Sequence, residues 1–159
     1  MAAKTKDPII ELLLVFLDQA YNKKAWHGPT LRGAIRGVSH REALWRPSPK
    51  HHNIWDIVVH AAYWKYAVRR RLTGGEKGMF PREGSDWFGF QKETSAAAWK
   101  RDVALLEKYH KLLRKTIAGL SSKNLKRMDL IYGIASHDLY HAGQIQLLKR
   151  LQRGGVVNR

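Results

Sequence analysis

Residues 130–148 read Leu-Ile-Tyr-Gly-Ile-Ala-Ser-His-Asp-Leu-Tyr-His-Ala-Gly-Gln-Ile-Gln-Leu-Leu. Leu130, Ile134, His137, His141, Ile145 and Leu148 recur at spacings of 4, 3, 4, 4 and 3, the period of a helix that turns one face to a core. Two histidines stand where leucines belong. Side chains four apart on a helix lie one above the other, so both imidazoles can converge on one point, the arrangement of two adjacent ligands of a single cation. Without an ion, each ring nitrogen would need its own hydrogen-bond partner in an apolar surrounding.

Helical periodicity extends outward from this segment, and no stretch longer than a few residues alternates as a strand does. The fourth long helix is expected over Lys126 to Gln152, stopping at Gly154-Gly155, and the third over Thr94 to Ala118. The second covers Asn53 to Leu72, with Ile57, Ala61, Trp64 and Val68 toward the core, and the first Pro8 to Trp26, capped by Asp7. A shorter helix is expected over Thr30 to Arg36, and Val38 to His51, with Pro47 and Pro49, reads as loop. From Thr73 to Gly89 the chain holds five glycines and one proline, irregular and long for a turn between helices. A crossover that lets the second and third helices run parallel is the better reading. The fold class expected is an all-α four-helix bundle with a long crossover, residues 1–159 forming one domain.

Cysteine is absent, so thiolate ligands, disulfides and a cysteine nucleophile are excluded, and any metal must be held by nitrogen or oxygen. Lys4 and Lys6 before the apolar run Ile9 to Leu17 faintly resemble a secretory leader, but Glu11 interrupts the run and Asp18 closes it. A cytoplasmic protein without a membrane span is expected. The formal charge is +16, from 29 Lys and Arg against 13 Asp and Glu. That charge would attract nucleic acid or acidic ligands. The basic residues are scattered in short clusters, and no helix-turn-helix, zinc-finger or RNP-like pattern is present, so nucleic acid is possible as a partner but not favoured.

His60 adjoins the apolar stripe of the second helix and is the natural third ligand. Three neutral imidazoles favour zinc, nickel or another late first-row metal over magnesium or calcium, and three protein ligands leave a position open for chemistry. On spacing alone, an accidental pair of histidines remains an equal alternative.

His60-Ala-Ala-Tyr-Trp, preceded by Asn53-Ile-Trp, and above all His137-Asp-Leu-Tyr-His141-Ala-Gly-Gln144-Ile145 resemble the DinB-like superfamily of metal-dependent enzymes, and the resemblance runs over nearly the whole chain. It implies a four-helix bundle with a crossover and a divalent metal held by His60, His137 and His141, often in a homodimer. Characterised members include bacillithiol or mycothiol S-transferases and a mycothiol-dependent maleylpyruvate isomerase. A low-molecular-weight thiol cosubstrate acting on a small-molecule substrate is what the resemblance implies here, with a related hydrolase as its neighbour.

Around the triad, Asp138 points about 100° away from His137 and is better placed to support the site or pair with another helix than to bind metal. Gln144, one turn beyond His141, can line the pocket or join two helices. Trp55, Tyr63, Trp64 and Tyr140 can wall a pocket, although aromatic residues at helical spacing are more often core. Trp87-Phe88 can form a lid or pack in a dimer interface. His27, His40, His51, His52 and His110 read as structural or solvent-facing. A protease reading of His-Asp-Leu-Tyr-His is discounted because aspartate replaces the usual glutamate base and no downstream ligand follows. Two non-catalytic alternatives are a metal-stabilised helical bundle and a basic nucleic-acid-binding protein.

Overall fold

The computed structural model describes residues 7–75, 79–89 and 92–154, apart from the Asn124 side chain. Lys4, Lys6 and Gly155 lie outside the described residues, as do 76–78 of the glycine-rich connection. Every regular element among the described residues is helical: α1 (Pro8–Tyr21), α2 (Leu31–Ile35), α3 (His40–Leu44), α4 (Ile54–Leu72), α5 (Ala96–Ala118) and α6 (Met128–Gly154), with a 3-10 turn at Ser122–Asn124. None of these helices is long and apolar enough to cross a membrane.

Local chemistry sets the helix starts. The Asp7 carboxylate accepts from the amides of Ile9 and Ile10 ahead of Pro8, and from the Ser122 amide, tying the start of α1 to the turn before α6. Asn53 and Asp56 form a reciprocal capping box at α4, and Ser95 caps α5.

Two expected boundaries are corrected. α1 ends at Tyr21, five residues before Trp26, because the Asn22 and Lys23 amides both turn back to the Asp18 carbonyl, and Trp26 is fully exposed. Residues 38–51 are not all loop: Ser39 and Glu42 cap each other and start α3, which ends before Pro47.

α1 packs against α5 and α6, and α4 packs against the same two helices. Trp55 bonds Asp102, Tyr66 packs on Tyr109, and Arg69 bonds Thr116, so α4 and α5 run in the same direction. α2 rests on α6 and α3 on α4. The buried residues include Leu17, Ile57, Leu106, Leu113, Ile131 and Ile145.

Candidate metal centre

α4 supplies His60, and α6 supplies His137 and His141 one turn apart. The His60 and His141 Nε2 atoms each lie 3.0 Å from His137 Nε2. Two nitrogens bound to one tetrahedral metal at the usual bond length are about 3.3 Å apart, close to this spacing. The three residues offer one ligand atom each within 4.8 Å of one another and can hold a metal ion.

Hydrogen bonding fixes which nitrogens face inward. His60 Nδ1 lies 3.0 Å from the Asp86 carbonyl oxygen, which can only accept, so Nδ1 carries the proton and Nε2 its lone pair. His141 Nδ1 donates to the Gln144 amide oxygen at 2.6 Å, again leaving a lone pair on Nε2. Both lone pairs point at His137 Nε2, which has at most one N–H and can satisfy only one of them. His137 Nδ1 is buried without a hydrogen-bond partner among the described residues. A cation among the three Nε2 atoms resolves this convergence, and the donor set fits zinc or nickel chemistry.

Electrostatics favour the same state. Burial, then the neighbouring imidazoles, lowers the His137 pKa to about 3. Burial outweighs the Gln144 bond and lowers His141 to about 4. His60 is also lowered, by burial, against the opposing effect of Asp86. All three rings are therefore neutral near pH 7, the state in which an imidazole can bind a metal.

The connection after α4 closes one side. Trp87 stacks on His60 at 3.8 Å between ring centres and, on its other face, on His52 at 3.6 Å. Trp64 meets His60 and His137 edge-on, and its indole N–H donates to the Asp86 carboxylate at 2.8 Å. Asp86 holds this corner with φ of 62°, in the left-handed region that aspartate enters more readily than most residues.

Of the other expected residues, Gln144 and Trp64 reach the triad and Asp138 does not. Asp138 pairs with Lys65 of α4 at 2.5 Å, and both side chains are fully buried. Burial pushes the Asp138 carboxyl up and the Lys65 ammonium down, each opposed by the other. Tyr63 packs on Phe80 and Phe88 and lines a cleft of about 580 Å³ beside Tyr66 and Arg70. Trp55 is core, packed on Trp99 with its N–H on Asp102. Tyr140 is 63% exposed and touches the site through its hydroxyl, which accepts from Gln144. Sequence reasoning missed Asp86 and Lys65. The tie to Asp86 spans 26 residues and uses a backbone oxygen, which leaves no pattern in the sequence.

Residues 25–145 match the family model of the DinB superfamily, and the chain belongs to that superfamily. No curated protein and no solved structure matches it.

Proposed function

We propose that this chain is a metal-dependent enzyme in which His60, His137 and His141 hold one divalent ion, zinc or nickel, for thiol-dependent S-transfer or a related hydrolysis. The observation that carries the reading is the convergence of three Nε2 atoms, two of them with lone pairs fixed by the bonds to Asp86 and Gln144. When bound, the ion would lower the pKa of a thiol or water in its open position, so that an anionic nucleophile exists near neutrality. Trp87 and Trp64 keep bulk water from the His60 side, and Asp86 and Gln144 keep the imidazole tautomers fixed. The chain needs no cysteine for this chemistry, because the thiol comes from a small cosubstrate.

The proposal includes a four-helix bundle of α1, α4, α5 and α6 as one domain, with the segment after α4 as crossover, working as a cytoplasmic homodimer on a small-molecule substrate. The parallel course of α4 and α5 supports the crossover. Some of the +16 charge would draw in an acidic thiol.

The test incubates zinc-loaded or nickel-loaded protein with low-molecular-weight thiols and a small electrophile and follows conjugate formation. Turnover that His60→Ala abolishes is expected. No thiol binding and no transfer with any thiol would overturn the enzymatic reading.

A further inference from the structure

The segment after α4 folds back on that helix through aromatic rings. Phe80 is 8% exposed and meets Tyr63 at 5.4 Å, Tyr66 at 5.7 Å and Tyr109 of α5 at 5.4 Å between ring centres. Tyr63 and Tyr66 stay half-buried, because each also lines the cleft of about 580 Å³, together with Pro81 and the exposed Met79. A volume of that order holds a small molecule, and apolar aromatic walls with few polar groups are what such sites offer.

Charge indicates what completes the cleft. Of its two arginines, Arg82 is bound to Asp102. Arg70 is different: its guanidinium lies over the Tyr66 ring, 5.8 Å from the centre, and no carboxylate pairs with it among the described residues. Its neighbours are no better neutralised, since Arg69 bonds the Thr116 hydroxyl and Arg71 packs on Trp64. The dipole of α4 favours cations in this last turn, and stacking on Tyr66 holds one of them beside the cleft with its N–H groups unused by an anion. Glu83, the acidic residue lining the cleft, is exposed. In a chain of net charge +16 the surrounding field favours an anion over a cation there.

We propose that this cleft binds a small planar aromatic carboxylate, its ring against Tyr63, Tyr66 and Phe80 and its carboxylate on Arg70, at a site separate from the metal centre. Guanidinium presents two parallel N–H groups to a carboxylate, and aromatic walls take a flat ring in stacked or edge-on contact. Phe88, which packs on Tyr63 and Phe80, adjoins Trp87 in sequence, so the bound acid rests against the same segment that covers His60.

The test is isothermal titration of the full chain with 2-naphthoate, and saturable binding with Kd below about 1 mM is expected. Arg70→Gln should weaken it at least about tenfold, the loss of a charge-assisted hydrogen bond, with unchanged helical circular dichroism. The uncharged 2-naphthamide should bind wild type and Arg70→Gln equally weakly. Lys111→Gln, which removes the same charge from the surface of α5, should leave 2-naphthoate binding unchanged. So should His60→Ala, because an acid held by a metal ion would lose its site in that variant, and this comparison separates the cleft from the metal reading. Absence of saturable binding up to about 5 mM would overturn the proposal. A loss in Arg70→Gln no greater than in Lys111→Gln, equal wild-type affinity for the amide, or abolition by His60→Ala would overturn it as well.

Discussion

His110 shows at the scale of one residue why histidines in this chain must be read one at a time. It lies in α5, 3% exposed and stacked on Tyr21 at 3.6 Å, and its Nδ1 has no partner among the described residues. Burial, with Lys65 and Arg114 nearby, lowers its pKa to about 2. The sign follows directly. The unfolded chain protonates an ordinary histidine below about pH 6.5 while the fold keeps it neutral, so stability falls as the pH drops. From neutrality to pH 5 this amounts to about 2 kcal/mol for one such group. Urea unfolding should show His110→Phe losing less stability than wild type over that interval, by about this amount, with little change at neutral pH. Equal pH slopes would contradict the buried neutral ring. The sequence could place His110 in a helix but not decide its burial, because Lys108 and Lys111 on either side made the segment read as solvated. His137 and His141 were legible because they replace apolar residues within a periodic stripe. Trp87 was legible as a loop aromatic, yet not as the ring sandwiched between His52 and His60.

At the scale of elements, α4 and α6 are joined inside the core by Lys65 and Asp138. Removing one member strands a polar group without its partner, so Lys65→Met should cost about 3–5 kcal/mol in chemical denaturation. Removing both should be close to neutral, so Lys65→Met with Asp138→Leu should recover most of that loss. Additive losses would show that the pair does not act as a unit. The four long helices were legible because periodicity accumulates over many residues. The short α3 was not, since a little over one turn ahead of Pro47 gives too little period. Its signal was the Ser39 and Glu42 capping pair, a purely local pattern. The early end of α1 had no comparable mark: Asn22 to Trp26 contains no proline or glycine, and the chain stops because two amides turn back to Asp18.

At the scale of the whole molecule, the +16 charge is a repulsive load on the fold. Raising sodium chloride from about 20 mM to about 300 mM screens most of it and should raise the melting temperature, whereas a chain stabilised mainly by surface ion pairs would melt lower. The same titration with unrelated DNA should show weak binding that vanishes with salt. Tight binding that persists at physiological salt would move the assignment toward nucleic acid.

The proposed function requires that the facing imidazoles of α4 and α6 hold an ion. It is tested most directly by metal content, measured by mass spectrometry on untagged protein dialysed without chelator, wild type beside His137→Ala. A three-nitrogen site should give about one equivalent of zinc or nickel in the wild type and its loss in the variant. A wild type that holds no metal even after reconstitution, or a variant that retains a full equivalent, would contradict it.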